Sequence, residues 1–278
     1  MTASLAFALL RLHFIRRERR YFRVTSPSPL EAAVAVARPW LREAPTDGAD
    51  ALALSRLADP GGLRPMIERH RLRFAPDACP RGAASVWSKH LFSALLPAPA
   101  LAALAGAPPA DDPLLMMVDG LPKAILASPP DAWSASPAPD ALAGWTDRVL
   151  GDGVIAALAA ASGLAPRLFW SNAAAMLAYL CEKWDAVPAL AGRSAALRAT
   201  LFDRETLRGQ IAYVATPVPE YPTLRRRRLC CLRDRLGQPL CSSCPRITAE
   251  ARDAILRATA AKAAAAAVPT APSTRPTG

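Results

Sequence analysis

Apolar residues recur at three- and four-residue intervals along most of this chain, the spacing of amphipathic helices. The clearest run is 83–106, where Trp87, Leu91, Ala94 and Leu95 share one face until Pro97 interrupts it. Segments 31–40, 50–58, 65–71, 141–150, 154–162, 171–183, 194–207 and 248–265 read as further helices. Ser171 or Asn172 is the expected N-cap of its helix. Asp59-Pro-Gly-Gly reads as a stop, and the proline-rich 216–222 as a joint before the cysteine segment. One stretch differs in kind. In 114–126 two short apolar runs flank Asp119-Gly120, the signature of a tight β-hairpin.

Composition sharpens this picture in three ways. With 278 residues, 52% apolar and 21% charged, the chain can bury a sizeable core. Its 28 prolines favour many short helices over a few long ones. The formal net charge of +11 gathers in two places, 11–23 and Arg225 to Arg228 with Arg233 and Arg235. Such basic runs suit an anionic partner; a chain biased towards arginine throughout would also carry them. The apolar stretch 94–110 holds Pro97, Pro99, Pro108 and Pro109, which argue against a membrane-spanning helix. At the start, basic residues follow the apolar stretch rather than precede it, the reverse of the secretory order. A cytoplasmic location is therefore expected, with peripheral membrane contact through 1–24 left open. In that reducing compartment clustered thiols stay free for metal.

The chemistry concentrates near the C-terminal end. Cys230-Cys231 and Cys241-x-x-Cys244 bracket nine residues that include the turn formers Gly237 and Pro239. Cys241 and Cys244 stand at a chelating spacing. Cys230 and Cys231 are adjacent, so both reach one ion only through a tight local bend. A centre with two irons has a wider footprint, and the spacing favours it over a single zinc. A zinc knuckle, a disulfide pair and inert buried thiols are the competing readings. Cys181 falls on an apolar helical pattern and reads as packing; Cys79 precedes a proline in a loop. His13, His70 and His90 are dispersed, and His90 draws notice beside Trp87 and Lys89. The chain has no glycine-rich phosphate loop, dinucleotide fingerprint or nucleophile elbow.

The run Arg-Arg-Arg-Leu-Cys230-Cys231-Leu-Arg-Asp-Arg-Leu, closed by Leu-Cys241-x-x-Cys244-Pro245, resembles the signature of the ferric siderophore reductase family of the FhuF type. Val86-Trp87-Ser88-Lys89-His90, Asp119-Gly120-Leu-Pro-Lys-Ala and Pro166-Arg167-Leu-Phe-Trp170-Ser171-Asn172 are similar to its upstream elements, in the expected order. The resemblance spans roughly 30–247. It departs from the family in a gap between cysteine pairs one residue shorter and in a longer C-terminal end. The resemblance implies a 2Fe–2S cluster held by Cys230, Cys231, Cys241 and Cys244 and no other catalytic group. It further implies one-electron reduction of ferric iron in a hydroxamate-type siderophore, fed by a separate ferredoxin or flavin reductase.

The expected fold is therefore α+β and predominantly α-helical. A multi-helix domain carries a small antiparallel β-hairpin and a C-terminal cysteine-rich, cluster-binding segment. The expected divisions are a basic N-terminal extension (1–24), a helical domain like that of the family (25–222), the cluster-binding segment (223–247), and a helix with a disordered tail (248–278). The expected docking surface combines the arginines beside the cysteines with Trp87, Lys89, His90, Trp170 and Asn172. Core packing competes for both tryptophans. No nucleic-acid partner is expected on this reading. The alternatives are a zinc-stabilised basic protein that contacts nucleic acid, and a siderophore-binding accessory protein without turnover.

Overall fold

The computed structural model describes residues 27–74 and 77–267. The basic segment 1–24 and the tail from 268 onward lie outside the described residues. The described chain is predominantly helical with two small sheets, an α+β arrangement as expected. Among the described residues no helix is long and apolar enough to cross a membrane.

Prolines open helices here instead of breaking them. The helices α1 (Pro29–Ala37), α2 (Pro60–Phe74), α3 (Pro80–Leu95), α4 (Pro97–Ala105), α5 (Pro139–Trp145) and α7 (Pro166–Asp185) all begin on one. At that position the missing N–H has no helical partner to lose, and the fixed φ already suits the helix. The remaining helices are α6 (Ala156–Ser162), which follows a π-helical stretch at Thr146–Ile155, then α8 (Ala191–Asp203) and α9 (Ala249–Ala267).

Asp59-Pro-Gly-Gly starts a helix. The Asp59 carboxylate accepts from the N–H groups of Gly61 and Gly62, at 2.9 and 3.0 Å, and so caps α2. The expected N-cap at Ser171 or Asn172 is also corrected. Helix α7 begins five residues earlier in sequence than Ser171, and both residues are buried inside it.

The hairpin at Asp119-Gly120 forms as expected, between β3 (Leu114–Val118) and β4 (Leu121–Leu126). Both turn residues take positive φ, 53° and 74°, as a type I′ turn requires. The hairpin belongs to a larger sheet of order β1-β4-β3-β2, with β1 at Leu41–Arg42 and β2 at Asp50–Ala53. The expected helix over 50–58 is thus a strand followed by a 3-10 turn, Leu54–Ala58. Pairing with the open edge of β3 overrides the local pattern. A second hairpin, β5 (Ile211–Ala215) with β6 (Thr223–Arg227), lies where the sequence suggested only a joint.

Helix α3 is the organising element. It packs against α2, α7, β4 and the 3-10 turn Arg233–Leu236 that follows the first cysteine pair. Trp87 is fully buried on it and donates its indole N–H to the Gly120 carbonyl at 3.0 Å, which fixes the hairpin to the helix. The cysteine segment thereby rests on the same helix as the core.

Candidate metal centre

The first cysteine pair sits where the chain leaves β6. Leu232 adopts a left-handed backbone, φ 55°, unusual for a branched residue. The bend follows the pair and does not lie between the two cysteines. It turns the Leu232 N–H back onto Cys230 Sγ at 3.4 Å. Gly237, φ 69°, closes the 3-10 turn and lets the chain return towards Cys241. The Cys241 carbonyl then accepts from the Cys244 N–H at 2.9 Å, which makes the second pair a closed turn.

These two turns bring all four sulfurs into one neighbourhood, in pairs. Cys244 Sγ lies 3.6 Å from Cys230 Sγ. Cys231 and Cys241 lie close enough to influence each other: their interaction pushes the Cys241 thiol down to about 5 while it raises that of Cys231. Ser243, Arg227 and Lys89 also favour the Cys241 thiolate. Burial raises the Cys244 thiol. All six described cysteines are free. Among the described residues no three His, Cys, Asp or Glu side chains converge on a single ion position. Thiolates are the donors that soft metal centres take, and the sulfurs of Cys230 and Cys244 stand 3.6 Å apart. Cys181 is buried in α7, away from them in the core. Cys79 stands at the N-cap of α3, and its N–H donates to the Arg235 carbonyl at 3.4 Å.

Of the arginines beside the cysteines, Arg225, Arg226 and Arg227 are engaged within the fold, while Arg228 and Arg235 are exposed. Along β6, alternate side chains face opposite ways. Arg225 and Arg227 reach α7, where Arg225 pairs with Glu182 at 2.5 Å and lies over the Tyr179 ring. Arg226 donates to the Pro245 carbonyl at 3.0 Å. Arg227 is buried. Its side chain donates to Asn172 Oδ1, while its N–H donates to the Ser243 carbonyl at 3.0 Å. Asn172 in turn donates to Ser88 Oγ at 2.9 Å and to the Ser85 carbonyl at 3.1 Å. A continuous polar strut therefore runs from α3 through α7 and β6 to the second cysteine turn. On the outer side Asp234 and Arg246 pair at 2.6 Å beside Cys230, and Arg246 holds the Asp234 carboxyl below its usual range.

Of the expected docking residues, Trp87, Trp170 and Asn172 are buried within the fold. Lys89 and His90 do face a cavity, described below. Sequence reasoning missed Gly82, whose missing side chain lets the cysteine turn approach α3. A Cβ there would lie 2.7 Å from Arg235 Cβ and 3.2 Å from the Leu232 carbonyl oxygen. The only sequence signal was the run of small residues Gly82-Ala83-Ala84-Ser85 at the start of the helix.

No family model and no curated protein sequence matches this chain. The functional reading therefore stands on the residues themselves.

Proposed function

We propose that the protein is an iron–sulfur ferric-chelate reductase, with a 2Fe–2S cluster held by Cys230, Cys231, Cys241 and Cys244. The observation that carries this reading is the 3.6 Å approach of Cys244 Sγ to Cys230 Sγ, with Cys231 and Cys241 near enough to shift each other's thiols. Two thiolates on one tetrahedral metal with bonds of about 2.3 Å lie about 3.8 Å apart. The 3.6 Å separation of Cys230 and Cys244 fits that edge. With Cys231 and Cys241 as the second pair, each of two irons would take two thiolates, and the donor set is all sulfur. The resemblance of the cysteine signature to the siderophore reductases supports the same conclusion.

When bound, the cluster supplies a carrier that takes and gives a single electron. The chain's own residues provide the rest. Leu232 N–H and Arg246 direct hydrogen-bond donors at Cys230 Sγ, at 3.4 and 3.9 Å. Donors on ligating sulfurs favour the more negative, reduced state. Buried Arg227 and half-buried Lys89 place positive charge beside Cys231 and Cys241 to the same effect. Lys89 itself is held below its usual range by burial, a loss that the neighbouring thiolates partly offset. Ferric iron is gripped by hard oxygen donors far more strongly than ferrous iron, so one electron delivered to the chelate loosens it. The chain has no flavin or nicotinamide fingerprint, so the electron comes from a separate ferredoxin or flavin reductase. The engagement of Arg225 with Glu182 and of Arg227 with Asn172 leaves fewer free cations for a nucleic-acid face at this site.

A single-turnover assay tests the activity. Protein reduced with dithionite and desalted anaerobically is mixed with a ferric chelate and a ferrous-specific chromogenic trap. The wild type is expected to release a ferrous ion per cluster, and Cys244→Ser none. Cluster-loaded, reduced protein that yields no ferrous iron would reduce the role to binding without turnover.

A further inference from the structure

A cavity of about 580 Å³ opens between α2, α3, the start of β4 and the cysteine turn. Its volume falls within the usual range for small-molecule sites. Its wall carries Arg73 from α2, Lys89 and His90 from α3, and Arg233 and Gln238 from the cysteine turn. None of its lining residues is acidic. Arg73 pairs with Asp119 at 3.2 Å, but that pair is solvent-exposed and contributes little stability.

The polar groups facing this space are incomplete. His70 also lines it and is only 2% exposed, yet neither of its ring nitrogens has a hydrogen-bond partner. Its neighbours are the rings of Phe74 and His90, centred 4.9 and 5.6 Å away. The Arg233 Nε, on the opposite wall, is also buried and unpartnered. Buried donors left open are costly in an otherwise satisfied fold. Burial first, then the positive charges of His90, Arg73 and Lys123, push His70 down to about 4.

We infer that this cavity binds the ferric substrate, and that the substrate is an anionic chelate whose donor arms are carboxylates, of the hydroxycarboxylate class. This identification of the substrate rests on the reading of the cysteines given above. Guanidinium and imidazole N–H groups match carboxylate oxygens in number and geometry, and the pairing is charge-assisted. A neutral or cationic tris-hydroxamate, the class implied by the family resemblance, would bring no negative charge to Arg73, Lys89 and Arg233. A tris-catecholate would bring three aromatic rings to a wall where Phe74 is the one ring outside the imidazoles. Position supports the same assignment. Arg233 belongs to the turn that follows Cys231, and Lys89 lies close enough to Cys231 and Cys241 to influence both thiols. A chelate seated on these two residues is next to the electron source.

Gallium(III) citrate, a redox-inert stand-in for the ferric complex, is the probe. Its binding to the purified full chain is measured by calorimetry, with iron and sulfide content determined on the same samples. The wild type is expected to bind it, and binding weakens as salt rises. Arg73→Gln and Arg233→Gln are each expected to weaken binding by about tenfold, the loss of one charge-assisted hydrogen bond. Arg73 is exposed, so its variant folds even if Arg233→Gln disturbs the turn. No binding, unchanged affinity in Arg73→Gln, or tighter binding of the gallium tris-hydroxamate or tris-catecholate would overturn the assignment. Iron–sulfur-loaded protein with any of these results loses only the substrate class. Iron-free protein that binds gallium citrate through Arg73 keeps the anion site and loses the reductase reading instead.

Discussion

Asn172→Leu is expected to destabilise the folded protein by about 3 kcal/mol, because it leaves the buried Arg227 guanidinium without its acceptor. Leucine is close to asparagine in size, so the effect does not come from a hole in the core. It comes from breaking the strut between Ser85 and Ser88 on α3 and the strand that carries the cysteines. The thermal midpoint should fall by about 10 °C. Adding Arg227→Met removes the stranded charge and should recover much of the loss, since an apolar replacement of a whole buried polar pair is often close to neutral. The double variant should still retain iron poorly, because Arg227 is also a positive charge beside Cys231 and Cys241. Thermal unfolding followed by circular dichroism, with iron content on the same samples, separates the two effects. A single variant as stable as the wild type would mean that the strut does not bear on folding.

Gly82→Ala should separate folding from metal retention in the opposite sense. The new Cβ meets Arg235 Cβ at 2.7 Å and the Leu232 carbonyl at 3.2 Å, and neither is the loose end of a side chain. Helix α3 is anchored in the core through Trp87, so the cysteine turn must give way. Overpacking of this kind costs about 1–3 kcal/mol. Alanine is also the better helix former, which offsets up to about 1 kcal/mol of that in the helix itself. The helical domain should therefore stay folded while Cys230 and Cys231 move relative to Cys241 and Cys244. The expected result is a near-native far-ultraviolet spectrum with iron content well below the wild type. Full iron content in Gly82→Ala would show that the close approach is not needed for the site.

Much of this architecture is legible in the sequence, and the failures have physical reasons. The Asp119-Gly120 hairpin and the Trp87 face of α3 follow from local patterns that tertiary contacts reinforce. The strand at Asp50–Ala53 does not, because its partner β3 is more than fifty residues away and its own sequence carries no alternation. The four arginines of 225–228 look like a solvated charge run. Only the pairing of β5 with β6 reveals that alternate members turn inward, to Glu182 and to Asn172. Asn172 looks like a cap because asparagine usually is one near a helix start. It sits seven positions into a helix that Pro166 opens. At the site the four cysteines could be read directly, while the left-handed turn at Leu232 just after the first pair could not. The scaffold around them could not: Gly82, Asp234 with Arg246, and the unpartnered His70 acquire their roles only when distant segments meet.

The central claim is that Cys230, Cys231, Cys241 and Cys244 hold a two-iron cluster. Its most direct test is iron, zinc and acid-labile sulfide analysis of protein purified under anaerobic conditions, read beside its visible absorption. The account predicts about two irons and two sulfides per chain with thiolate-to-iron absorption bands, and the loss of both in Cys244→Ser. Protein that contains zinc without sulfide, or that stays iron-free after anaerobic reconstitution, would contradict it.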